Sequence, residues 1–352
     1  RESSILSHNQ NLCVLVAVAV ARSSRRFADL RNSISELCTA HSWVRVALNL
    51  FDEVPSTTLA ADLHSAGTPG GLHSCVSLST IAAFKTRFWQ QALLPTRLHG
   101  ITHLFLVDSD MDIRPAHFDF VTLVRLSQAT NVSILSPAPY GGGNGFYHLD
   151  APRLNNNYAL TKAHCGGKPS DWAYNCPVCR QSVVEVKAPL FTIAAWSVLF
   201  QRVLSRMPAS TLVGTPEWID LMWCQLMAHH LDGCDPSKQM GLPFGSDNCI
   251  GRNSCAYSYI TPIKHNNDLE IEQRNRSRAT GADPTRFTEV WLDKNAEKKR
   301  YFMAPSWRPK GSYLRNEPCW SMANVSEALG NWSNESALVP QLSELQMARQ
   351  QR

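Results

Sequence analysis

The chain has 352 residues, 44% of them apolar and 18% charged. That is material for one large packed domain or two modest ones, and it excludes a disordered or collagen-like chain. Lys and Arg exceed Asp and Glu by only five (34 against 29), so charge demands no nucleic acid and none is expected as a partner. The apolar run Val14–Ala21 is eight residues long, against the roughly 20 that a membrane-spanning helix needs. The sequence opens at Arg1, so residues 1–10 are expected to be a lead downstream of a missing anchor, the one route to a membrane.

The elements follow in chain order. Leu12–Val20 is a continuous apolar, β-branched run, the pattern of a strand covered on both faces. Ser23 and Ser24 offer a cap for a helix carrying Phe27, Leu30, Ile34 and Leu37 at helical spacing. Val44–Phe51 is a second strand, ending on Asp52-Glu53, so the first three elements predict a parallel pair with a right-handed crossover. A helix is expected from Ser79 to about Leu94, stopped by Pro95, and a third strand over Ile101–Val107. Val132–Ser136 is a short strand. Residues 139–180, rich in Gly, Asn, Pro and Cys, read as a long ordered loop. Ser182–Val186 (strand), Ala194–Leu204 and Glu217–His230 (helices) and Ala256–Ile260 (strand) complete the set. The expectation is an α/β fold with a mostly parallel sheet flanked by helices, a single large domain over 11–315, and a polar tail over 316–352.

Eleven cysteines, seven of them between Cys165 and Cys255, point to disulfides in an oxidising compartment, to metal ligation, or to buried thiols. Cys176-Pro-Val-Cys179 has zinc-knuckle spacing, but no second CxxC or HxxxH follows at finger distance. Asn131, Asn275, Asn324, Asn331 and Asn334 each begin an N-x-S/T sequon. Together these features favour the secretory lumen. The odd cysteine leaves one thiol free or paired outside the chain.

The most informative position is where the third strand ends. Leu104-Phe-Leu-Val107 delivers Asp108, Asp110 and Asp112 at alternate positions. Two carboxylates one residue apart can converge on a hard cation, Mn²⁺ or Mg²⁺, which keeps open positions for phosphate oxygens and neutralises a diphosphate leaving group. Ligands of α/β sheets bind outside the carboxyl ends of the strands. The plain alternative is that Asp is common at strand ends and in turns.

The pattern of an apolar strand followed by Asp108-Ser-Asp110, after a strand–helix–strand start, resembles glycosyltransferases of the GT-A fold. More specifically, it is similar to the "domain of unknown function 707" family. Phe88-Trp-Gln-Gln-Ala-Leu-Leu-Pro95, Glu185-Val-Lys-Ala-Pro-Leu-Phe191 with Ala195-Trp196, Trp218-Ile-Asp220 and Tyr259–His265 match that family's motifs in order. Ser109 stands where the family has Glu. The resemblance covers about residues 10–270. It implies a GT-A-like, Rossmann-like sheet and a nucleotide-sugar donor, with Asp108, Asp110 and His265 as metal ligands. It also implies that Asp220 is the catalytic base, with Glu217 beside it. A base there would take the acceptor's proton in an inverting reaction, whereas first-turn acids are also favoured by the helix dipole alone.

Weaker candidates are Asp52 for the nucleoside and Lys85 for the diphosphate, read otherwise as a turn former and a solvated helix lysine. Trp172, Trp196 and Trp218 could stack on sugars, though Trp196 reads as core. Gly141-Gly-Gly-Asn-Gly145 lacks the Gly-Lys-Ser/Thr of a phosphate loop. The resulting expectation is a lumenal glycosyltransferase, of the Golgi or secreted, moving a sugar to a carbohydrate or glycoprotein hydroxyl. The alternatives are a non-catalytic carbohydrate-binding or scaffold protein of the same fold, or a nucleotidyltransferase.

Overall fold

The computed structural model describes residues 12–53, 73–82, 85–140, 177–180, 184–207, 219–231, 254–266, 319–320 and 325. The apolar run near the start forms strand β1, Val14–Val20, buried at nearly every position. Helix α1, Phe27–Ala40, crosses to β2, Val44–Leu50, which pairs in parallel with β1. Neither serine caps α1: Arg26 holds the cap position with no side-chain hydrogen bond, and Ser24 Oγ accepts from the Arg26 N–H within the preceding turn.

Where the sequence suggested one helix from Ser79, the chain first makes a parallel edge strand, β3, Val76–Ser79, and helix α2 starts at Lys85 and ends at Ala92. Buried Asn49 accounts for the delay. Its Oδ1 accepts from Ser79 Oγ (2.9 Å) and the Ile81 N–H (2.8 Å), and its Nδ2 donates to the Ile81 carbonyl (3.0 Å). A side chain satisfying these groups holds the segment extended against β2.

Strand β4, His103–Asp108, lies in parallel beside β1, and β5, Met111–Asp112, follows at once. Helix α3, Phe120–Thr130, was not legible in the sequence; Asp119 caps it, accepting from the Thr122 N–H at 3.0 Å, and Asn131 closes it at φ 50°. Strand β6 is Ile134–Tyr140 and β7 is Val178–Arg180. The strand expected at 182–186 begins instead at Leu190: β8, Leu190–Thr192. Pro189 has no N–H for a ladder, but its carbonyl accepts from Leu106, and the Lys187 carbonyl accepts from the Asp108 N–H at 2.9 Å. Helices α4, Ile193–Arg202, and α5, Asp220–Leu231, precede the long strand β9, Cys255–His265; β10, Cys319–Trp320, comes from the segment read as a polar tail.

The ten strands among the described residues join one sheet, ordered β10-β7-β9-β6-β8-β4-β1-β2-β3, with β5 attached to β9. The expected parallel pairing holds from β3 to β4; beyond β4 the sheet is mixed, β8 running antiparallel to both β4 and β6. Helices cover both faces. Phe105 packs on Phe118 and Phe120 (5.9 and 5.2 Å between centroids) at the head of α3. Its neighbour Leu104 points the other way, on the face of its cross-strand partner Phe191. There Phe191 meets Trp196 and Trp223 edge-on (5.8 and 5.2 Å), and Trp196 meets Trp89. Trp196 is therefore core, fully buried, with its Nε1 donating to the Leu93 carbonyl. Burying a side chain such as Phe191 contributes roughly 1.5–3 kcal/mol, and an aromatic pair adds about 0.5–1.5 kcal/mol. This is the single α/β domain that the GT-A resemblance implies.

Two disulfides tie helices to the sheet. Cys38–Cys75 joins α1 to the start of β3, and Cys224–Cys255 joins α5 to β9. Cys179 is also disulfide-bonded, so no zinc knuckle forms on it; Cys13 carries the free thiol among the described residues. None of the described helices is long and apolar enough to cross a membrane.

Candidate functional site

The site is assembled by the way β4 stops. Asp108 is the last residue of this buried strand. The chain turns through Ser109 and Asp110 and re-enters the sheet as β5, which pairs antiparallel with the end of β9 so that Met111 lies opposite His265. The Asn266 N–H donates to the Asp110 carbonyl at 2.9 Å, closing the connection. Residues 155 apart in sequence are thus fixed side by side: His265 Nε2 lies 3.0 Å from Asp110 Oδ2, with the imidazole 2% and the aspartate 8% exposed.

Asp110 is polarised from several directions. Burial pushes its carboxyl up, but the hydrogen bond and charge of His265, with the charges of Lys85 and Lys187, bring it below its ordinary value. It is therefore held ionised. Its second oxygen, Oδ1, is sealed from solvent and has no hydrogen-bond partner among the described residues. Unmet buried carboxylate oxygens are rare and call for an explanation.

Asp108 is handled differently. It is ion-paired with Lys85 at the start of α2, so the lysine read as a solvated helix residue is instead half-buried against the strand end. Asp108, Asp110 and His265 do not close on one point. Among the described residues the one His/Cys/carboxylate trio with ligand atoms all within 4.8 Å is Cys38, His73 and Cys75, whose sulfurs are already joined. Each aspartate has a partner of its own, the Lys85 ammonium for Asp108 and the His265 imidazole for Asp110. A hard divalent cation fits the Asp110–His265 pair: the donors are a carboxylate oxygen and an imidazole, and Oδ1 is a lone acceptor awaiting a cation. Asp108 would join only by exchanging Lys85.

Asp112, the third alternate aspartate, is taken up by other partners. Arg114 Nε and His117 Nδ1 each reach it at 2.7 Å, and Arg114 Nη2 adds a second guanidinium contact. Asp52 is likewise engaged by backbone: its oxygens accept from the Arg22 and Ser23 N–H groups at 2.6 and 3.0 Å, fastening the turn after β1. Burial would raise its carboxyl, yet the Ser23 and Arg22 N–H groups hold it below the ordinary range.

Asp220 stands in the first turn of α5, and its charge reaches the buried hydroxyl of Tyr257 on β9. Glu217, Trp172, Trp218 and Gly141–Gly145 lie outside the described residues. Sequence reasoning matched the segment Glu185–Phe191 but gave its charges no role. The Lys187 carbonyl accepts from the Asp108 N–H, and the Lys187 ammonium lies 3.6 Å from the Glu185 carboxylate. The available signal was two charged residues immediately ahead of a proline-delayed strand.

No family model matches the chain, and no curated protein does; the likeness to the domain of unknown function 707 family rests on motifs alone. Among solved structures the chain is similar to a mannosyltransferase from Pyrobaculum calidifontis in complex with GDP-Man and Mn²⁺ (15% identity over 95% of this chain and 74% of that one, TM-score 0.36). It is also similar to a galactosyltransferase in complex with donor and acceptor sugar analogues (9% identity, 78% and 94%, TM-score 0.31). A third is CMP:2-keto-3-deoxy-manno-octonic acid synthetase with CTP (9% identity, 77% and 100%, TM-score 0.33). Overlaps this loose carry no argument of their own. What the fold and site define is an α/β protein with a charged, carboxylate-bearing turn at the end of its central strand, and the functional reading rests on that turn.

Proposed function

We propose that the chain is a metal-dependent glycosyltransferase of the GT-A type, transferring a sugar from a nucleoside-diphosphate donor to a hydroxyl acceptor with inversion. The observation that supports this most is the Asp110–His265 pair: an ionised, buried aspartate with one oxygen on an imidazole and the other unpartnered, at the carboxyl end of the central parallel strands. When bound, Mn²⁺ or Mg²⁺ supplies Lewis-acid neutralisation of the departing diphosphate; Asp110 and His265 would hold it, with Asp108 as a further oxygen donor.

The chain's own side chains supply the remaining work. Lys85 and Lys187 both act electrostatically on Asp110, and a diphosphate entering there would offer them a stronger anionic partner than a single carboxylate. Lys85 would pass from Asp108 to the phosphate oxygens, releasing Asp108. In this reading the positive charge gathered around the two aspartates is reused to bind the donor, so little reorganisation is needed during the reaction. The disulfides fit a lumenal setting of the Golgi kind.

A donor screen tests the reading. The protein is incubated with Mn²⁺ and each common nucleotide sugar, and released nucleoside diphosphate is measured. Release from one donor, stimulated by a hydroxyl acceptor and abolished by chelation, is expected. Pyrophosphate release from a nucleoside triphosphate would indicate nucleotidyl transfer instead, and tight sugar binding without release a binding module.

A further inference from the structure

Sequence resemblance points to Asp220 as the base, but the geometry points elsewhere. We propose that Glu185 takes the proton from the acceptor hydroxyl, an inference that rests on the glycosyltransferase reading above. Among the described residues two carboxylate oxygens are sealed from solvent without a hydrogen bond, Asp110 Oδ1 and Glu185 Oε2. Lys187 links them: its Nζ is 3.6 Å from Glu185 Oε2, outside hydrogen-bond range, and its charge acts on Asp110. One unmet oxygen suits the cation side of the site; the other suits a hydroxyl donor.

The backbone at Glu185 is fixed from the opposite side. Its N–H donates to the hydroxyl of fully buried Tyr257 at 2.9 Å, and Tyr257 in turn lies within the field of both Glu185 and Asp220. The groups facing Glu185 are therefore Lys187 on its own segment, Tyr257 on β9 and, through that hydroxyl, Asp220 on α5. Asp220 has interactions of its own and serves as a positioning residue for Tyr257. In the transfer step the acceptor oxygen forms its bond to the anomeric carbon, its proton passes to Glu185 Oε2, and the bond from that carbon to the diphosphate oxygen breaks, its electron pair leaving with the nucleoside diphosphate. With the donor in place Lys187 is drawn to the diphosphate, leaving Glu185 to the hydroxyl.

The test compares Glu185→Gln, Glu185→Asp and Asp220→Asn with the wild type, reading two quantities: the melting shift with Mn²⁺ plus UDP, GDP or CDP, and nucleotide release from the corresponding sugars with methyl glycosides as acceptors. Glu185→Gln is expected to keep the shift and to lose release by about 100-fold or more. Glu185→Asp should recover part of the rate. Asp220→Asn is expected to lose less than about tenfold. Glu185→Gln working within threefold of wild type, or Asp220→Asn showing the larger loss, overturns the assignment of Glu185. A wild type that binds no Mn²⁺–nucleoside diphosphate, or releases none from any donor, overturns the glycosyltransferase reading itself.

Discussion

Asp110, in the turn after β4, and Asp112, in β5, are two residues apart and both buried, and their surroundings differ in kind. Asp112 has every demand met: guanidinium, imidazole and backbone donors converge on its two oxygens. Asp110 has one oxygen satisfied and one left over, with positive charge gathered around it at a distance. A carboxylate that holds the fold together is closed on itself; one that works on a ligand is kept short of partners, because its missing partner arrives from outside. The alternating Asp-x-Asp-x-Asp spacing therefore conceals two functions, of which a turn anchor is one.

Substitutions can sharpen or break this contrast. The largest effect on stability is expected from Asp112→Asn. Burial would raise the Asp112 carboxyl, but the Arg114 and His117 hydrogen bonds bring it down to about 2 from 3.8, which corresponds to about 2 kcal/mol of stability. Because the folded-state value is the lower one, that contribution is complete above about pH 4 and fades as the pH falls toward 2. Urea titrations at pH 7 and pH 3 should show the variant about 2 kcal/mol weaker at the first and less so at the second, with nucleotide binding unchanged. Lys85→Ala should weaken Mn²⁺-dependent nucleoside diphosphate binding about tenfold, or about 1.4 kcal/mol, measured by calorimetry; unchanged affinity would confine Lys85 to pairing with Asp108. Asp110→Asn should alter the unfolding free energy from urea titration by no more than about 1 kcal/mol, since half of its hydrogen-bonding capacity is already unmet. A larger loss than for Asp112→Asn would reverse the comparison. His117→Ala, whose imidazole is 45% exposed, should cost about 0.5 kcal/mol.

Much of this was legible in the sequence, for physical reasons. β1 and most of β4 are continuous apolar runs because both faces of a central strand are covered, and such runs announce themselves; β2 keeps Val44, Val46, Leu48 and Leu50 at alternate buried positions. His265 could be placed beside Asp110 only through resemblance, because their contact depends on β5 pairing with the end of β9, a two-residue strand with no periodicity to read. Asp112 was not separable from its neighbours, since Arg114 and His117 were indistinguishable from surface residues until the turn brought them back. β3 was hidden by a buried asparagine whose amide overrides the helical pattern that follows, and the Glu185–Lys187 pair by a proline that delays the strand until Leu190. Local pattern gave the elements; the site is made by long-range pairing.

The central claim is that Asp110, with His265, awaits a divalent ion shared with a nucleoside diphosphate. It is tested most directly by thermal melting of wild type, Asp110→Asn and His265→Ala with Mn²⁺, with nucleoside diphosphate, and with both. The account predicts a rise of several degrees for wild type only when both are present, and none for either variant. No rise in wild type, or an equal rise in Asp110→Asn, would contradict it.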